Sequence, residues 1–285
     1  MGTADVRTRV HPIGVARRRW LAILTGSMTA ILLGFVLLPI LAIFVRLPPG
    51  DLVRQLDSPV ARQALAISVF TSTIALVVIV VVGTPVAYVL SRARWRGATA
   101  VTTVLELPLV LPPAVAGLAL LMTLGRYGLL GGALRAFGIE LSFTTAAVVL
   151  ALIFVSLPFH VRQAFAAFRA VDPELLGAAR TLGAGPVRTF VRVAVPLAGQ
   201  GLTAGAALAW ARALGEFGAT LLFAGNIQGI TQTLPLAVYQ NLYDLPVALS
   251  MAALLIVVSA GLLVGAKILL RGAEPFDAPS RAGAR

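Results

Sequence analysis

Apolar residues run along this chain in long blocks, separated by short stretches rich in arginine, glycine and proline. A block of about 18 or more residues with almost no charge is long enough to cross a membrane as a helix. The pattern predicts six such spans, at 21–44, 65–88, 98–123, 143–159, 197–223 and 247–270. The fourth is short and calls for neighbours that bury it. The first is too long for the apolar core of a signal peptide and lacks a small-residue cleavage site, so it is expected to stay as a helix. The expected organisation is a basic N-terminal segment at 1–20, a transmembrane domain at 21–270 and a tail at 271–285.

Composition agrees with an all-α integral membrane fold. The 285 residues are 59% hydrophobic and 12% charged, more apolar than a water-facing domain of this size requires. The net charge of +12 does not imply a nucleic-acid partner, because the arginines sit between apolar blocks. Arg7, Arg9, Arg17, Arg18 and Arg19 precede the first span, and Arg92, Arg94 and Arg96 follow the second. Arg162, Arg169, Arg180, Arg188 and Arg192 follow the fourth, and Lys267, Arg271, Arg281 and Arg285 end the chain. The alternate loops hold only Arg46, Arg54, Arg62, Arg126 and Arg135. The positive-inside rule then puts both termini in the cytoplasm.

Several chemistries are not supported. There is no cysteine, and His11 and His160 are far apart, so no metal site is expected. The stretch 261-GLLVGAK-267 lacks the spacing of a phosphate-binding loop, so a nucleotide acting here belongs to another subunit. No nucleophile–histidine arrangement or carboxylate cluster suggests an enzyme.

The longest interruption, 160–196, contains 172-DPELLGAARTLGAGPVRTFVRVAVP-196. Asp172 before Pro173 is a helix start, Glu174 suits the positive end of the helix, and Gly183 or Gly185 before Pro186 is a stop. A short helix is predicted at about 173–182, and periodicity alone fits a surface-lying amphipathic helix equally well.

The segment from Ala178 to Pro196 resembles the cytoplasmic EAA loop of ABC-importer permeases: Glu-Ala-Ala, three residues, Gly, nine residues, then aliphatic–x–aliphatic–Pro. Ala178, Ala179, Gly183, Val193, Val195 and Pro196 fit. Gly177 stands where the pattern has Glu, and Glu174 lies one turn earlier. The resemblance implies a coupling helix docked on an ATPase, with Asp172, Pro173, Glu174, Gly177, Ala178, Ala179, Gly183 and Pro196 as coupling residues. The stretches 107-LPLVLPPAVAGLALL-121 and 214-LGEFGATLLFAGNIQGITQTLPLAVY-239 are similar to molybdate-type permeases, and sulfate permeases share the GEFG element. The family implies a type I importer permease in a bacterial inner membrane, acting as a homodimer. It also implies two ATPase subunits carrying ATP and Mg and docked through 160–196, and an extracytoplasmic oxyanion-binding protein. No cofactor is expected in this chain. Sulfate, thiosulfate or tungstate remain alternative cargoes, and an ion-coupled secondary transporter relying on Glu106 and Glu216 is the alternative of another class.

Pro108, Pro112 and Pro113 predict a break in the third span, and irregular backbone at membrane depth is tolerated where it lines a cavity or is buried in protein. A helix restarting at Pro113 would offer amides around Val115 and Ala116 to an anion, with Gly117 permitting close approach. A packing kink fits the same residues. Glu106, near the start of that span, reads as a partly solvated interfacial acid. Arg212 and Glu216 are four apart in the fifth span, hence expected on one helix face as an internal ion pair near an outer gate. Gly215 and Gly218 flank the acid and would allow close helix packing. The uncharged segment 225-GNIQGITQTLP-235, with Asn226, Gln228, Thr231, Gln232 and Thr233, fits either an external receptor-facing loop or a plain connector. Beyond it, Tyr239 and Tyr243 suit a membrane interface.

Overall fold

A computed structural model describes residues 13–271, except 48–49, 51–53, 55–56 and 94. Residues 1–12 and 272–285, most of the two expected terminal segments, lie outside the described residues. The chain divides into two units, at Met1–Pro49 and Gly50–Arg285. Every regular element among the described residues is helical. Four helices are long and apolar enough to cross a membrane, and two bent pairs raise the number to six.

The first unit is one helix, α1 (Ile13–Arg46). Its apolar side chains, Trp20 through Val45, are exposed almost all round. A helix apolar on every side needs lipid or protein against it.

The second unit begins with α2 (Pro59–Arg92), where Ser58 accepts from the Ala61 amide and Pro59 occupies the first turn. Its buried face runs Ala61, Ala64, Ser68, Thr71, Ala75, Ile79, Gly83, Ala87 and Leu90, at helical spacing. Small side chains let neighbouring helices approach closely. α2 packs most extensively on α6 (Thr145–Ala170), and α6 packs in turn on α9 (Gly199–Leu214). A Cβ on Gly201 would stand 2.4 Å from the Ala167 Cβ, so only glycine fits at this α6–α9 crossing. Two polar pairs lie inside this packing: Thr84 Oγ1 with His160 Nε2 at 2.9 Å, and Trp210 Nε1 donating to Ser72 Oγ at 3.0 Å.

The third predicted span is two helices, α3 (Ala98–Val110) and α4 (Pro113–Leu124), bent by 114° at the expected proline pair. A short α5 (Gly131–Ala136) leads to α6. The fourth span corrects the expectation, for α6 continues to Ala170 rather than stopping near 159. His160, Val161, Ala164 and Phe168 are buried along it, so the connecting segment shrinks to the residues after Ala170.

Next come α7 (Pro173–Thr181) and α8 (Pro186–Leu197). Inside α8 the turn Phe190–Ala194 is π-helical, and the Val195 amide reaches back to the Phe190 carbonyl. Pro196 has no N–H to keep the ordinary ladder going, and such single wide turns arise where the ladder is interrupted. α8 and α9 then meet at a 77° bend.

The fifth span also departs from expectation. It was predicted as one helix over 197–223, yet α9 ends at Leu214 and α10 (Gly218–Ala224) begins after a three-residue break. The chain closes with α11 (Leu234–Gln240) and α12 (Leu245–Arg271).

Candidate translocation and docking sites

Where α9 ends and α10 begins, the two intramembrane charges meet. Arg212 Nη1 lies 2.7 Å from Glu216 Oε2, with the acid 1% exposed and the arginine side chain 27%. The ion pair forms as expected, but not on one helix face, because Glu216 lies beyond the end of α9. Its other oxygen, Oε1, accepts from the Ala219 amide at 2.7 Å and so caps the start of α10. The break in the helix sets each charge at a helix end. Arginine sits at the negative end of α9 and glutamate at the positive end of α10, each where its sign is favoured.

α10 packs on α4. A Cβ on Gly117 would fall 2.6 Å from the Ala219 carbonyl oxygen, and one on Gly218 would fall 3.0 Å from the Ala114 nitrogen. The starts of the two half-helices therefore touch through glycine. At Gly117 the missing side chain makes room for the α10 backbone. Ala116 is buried and its amide donates to the Pro112 carbonyl. Pro112, Pro113 and Val115 stay exposed at the bend, and Gly215 is exposed beside the ion pair. Ala114 and Val115 lie in the first turn, where amides lack a partner one turn back. Glu106 is half-buried on α3.

The uncharged segment after α10 is divided: residues 227–230 are exposed, while the stretch that follows is buried. Thr231, Gln232 and Thr233 are buried, Asn226 is half-buried, and only Gln228 of the five candidates is exposed. Asn226 Nδ2 donates to Gln240 Oε1 at 3.1 Å, and Gln232 Nε2 donates to the same oxygen. The Ile227 amide donates to Thr231 Oγ1 at 2.9 Å, and the Leu234 amide to Ser68 Oγ at 2.7 Å. Gln240, which sequence reasoning left without a role, is the hub. Its signal was an uncharged polar residue ending a short apolar helix. Gly225, at φ 74°, faces Phe143, itself at φ 61°.

At the opposite end of α6 stands the arm formed by α7 and the turn after it. Asp172 Oδ1 accepts from the Glu174 amide at 2.9 Å, and Pro173 opens the helix. Gly183 takes φ 81° and its amide donates to the Arg180 carbonyl. Gly183 is thus the stop, while Gly185 is the entry position of α8. Leu176 is buried against Phe168 and Ala194. Leu175, Gly177, Ala178 and Leu182 are exposed, Leu182 at 89%, and Ala179 is half-buried. Pro196 is exposed near the 77° bend. Arg92 on α2 was also missed: its Nη2 donates to the Phe168 and Val171 carbonyls at 2.8 and 3.1 Å, closing the end of α6.

Comparison with known proteins places this architecture. Permeases called "Molybdenum transport system permease protein ModB" from Mycobacterium tuberculosis and Escherichia coli are 44% and 42% identical to it. The first alignment covers 81% of this chain and 88% of the relative, the second 70% and 87%. A "Probable transport system permease protein NifC" from Clostridium pasteurianum is 35% identical, over 88% of each. Among solved structures, a bacterial alginate ABC transporter in complex with its alginate-pentasaccharide-bound periplasmic protein shares the fold, with a TM-score of 0.71. It is 16% identical, covering 90% of this chain and 96% of the other. An inward-facing MetNI methionine ABC transporter gives 0.60 at 17% identity, over 76% and 97%. Residues 80–272 match the family described as "Binding-protein-dependent transport system inner membrane component", and the chain belongs to that family of multi-pass ABC-importer permeases.

Proposed function

We propose that the chain is the membrane subunit of an ATP-driven importer that carries molybdate into the cytoplasm by alternating access. Two copies form the pathway, each docks one ATPase subunit through α7, and an extracytoplasmic oxyanion-binding protein delivers the cargo. ATP and Mg are held by the ATPase subunits, and both termini face the cytoplasm. The observation that carries this reading is the capped α7 arm, which exposes Leu175, Ala178 and Leu182 on a family scaffold whose relatives are molybdenum permeases. A surface helix that leaves leucines outside is suited to a protein partner.

Glu216 is unsuited to hold the cargo, since it would repel an oxyanion and both its oxygens are engaged by Ala219 and Arg212. Its engagement also weakens the ion-coupled alternative, which needs a titratable acid free to load and release. We assign the pathway instead to the exposed bend Pro112–Pro113–Val115, beside the touching helix starts. A weak, transient site of backbone donors suits an anion that must also leave.

The test is molybdate uptake into vesicles carrying this chain, its ATPase and its binding protein. Uptake is expected to require ATP and to persist when ion gradients are collapsed. Uptake that follows an imposed gradient without ATP would remove the proposal.

A further inference from the structure

Where α2 and α6 end and α7 begins, a cavity of about 600 Å³ is lined by Ser91, Arg92, Arg169, Leu176, Gly177 and Arg180, among others. Three of these are arginines, and among the described residues no acidic side chain lines the cavity. Arg92 is anchored by its Nη2 bonds to the end of α6, while its Nε is buried without a partner. The Arg169 guanidinium lies over the Phe165 ring at 5.2 Å. The neighbouring acids are outside: Asp172 caps α7, and both it and Glu174 are exposed. Guanidinium groups gathered round one space repel one another, and a buried donor with no acceptor is costly. One anion in the cavity relieves the repulsion between the guanidinium groups.

We propose that this cavity binds the phosphate headgroup of an anionic phospholipid. Guanidinium forks match phosphate oxygens, and basic pockets at the ends of membrane helices suit such headgroups. The volume exceeds what a bare tetrahedral oxyanion fills. The position is the level at which two spans end, and the last turns of α2 expose Val86 and Val89, an apolar surface for acyl chains. Gly177 gains a meaning from this site. It stands where the importer pattern has glutamate, and a Cβ there would meet open space. A carboxylate would fit beside the arginines and compete for them, whereas glycine leaves them free for a ligand. The site rests on the membrane reading alone and not on the identity of the cargo.

The experiment is native mass spectrometry of the intact transporter complex titrated with phosphatidylglycerol or phosphatidylcholine. Preferential retention of phosphatidylglycerol is expected. Arg169→Gln with Arg180→Gln, both at exposed positions, should reduce that preference tenfold or more, since each arginine near a membrane surface changes binding by about fivefold. Gly177→Glu should reduce it too, while Arg162→Gln, exposed on α6 outside the cavity, should leave it unchanged. The proposal is overturned if the wild type shows no preference or if the double variant keeps it. Abolition by millimolar inorganic phosphate or molybdate would assign the cavity to a free oxyanion. A preference seen only in the chain stripped of its ATPase would assign it to an acidic side chain of that subunit. Either result overturns the lipid assignment.

Discussion

Glu216 does two jobs with two oxygens, neutralising Arg212 and capping α10. Glu216→Ala removes both and leaves a part-buried guanidinium unpaired. It should lower stability by about 3 kcal/mol, the scale for breaking a buried pair. Glu216→Gln keeps an acceptor for the Ala219 amide and should lose less. Thermal unfolding in detergent checks the order of the two, and equal losses would show that the cap contributes nothing. Gly117 carries a sharper steric demand, since a new methyl group would press on the Ala219 backbone. Gly117→Ala should cost about 1–3 kcal/mol by overpacking and reduce uptake. A stability change below about 0.5 kcal/mol, as at an ordinary surface site, would mean that α4 and α10 separate easily.

At the scale of elements, α7 was legible because its signals are local. Asp172, Pro173 and Gly183 each perform a backbone task that their residue type dictates. The end of α6 was not, because His160, Arg162, Gln163 and Arg169 lower the average hydropathy just where the helix continues. Val161, Ala164 and Phe168 keep helical spacing through that stretch, so periodicity held the information that a hydropathy average loses. The break after Leu214 was hidden for the opposite reason. Gly215-Glu216-Phe217 lies between apolar flanks and contains no proline, so its charge and glycine read as features of one continuous helix. The inward fold of Thr231–Thr233 depends on Ser68 and Gln240, distant partners that composition does not reveal. Ala178→Glu or Leu182→Glu on the exposed face of α7 should uncouple ATP hydrolysis from uptake. The ratio of the two rates in reconstituted vesicles reports this, and an unchanged ratio would place the ATPase elsewhere. Gly183→Ala, at φ 81°, should cost about 1–2 kcal/mol and shift the same ratio.

At the scale of the whole molecule, both ends of the second unit are tied to α6. One end carries the α7 arm and the other the touching starts of α4 and α10. The element that joins them directly is α9, bounded by the bend near Ala198 and the break at Gly215. Its 16 residues make a rod about 24 Å long with a joint at each end. α9 packs along α6, α2 and α12, so its two ends keep a fixed phase and spacing. The phase of the two joints is therefore part of the machine's gearing: one extra residue within α9 would turn one end by about 100° and advance it by about 1.5 Å. An alanine inserted there should leave nucleotide turnover running like an engine out of gear, with no cargo moved.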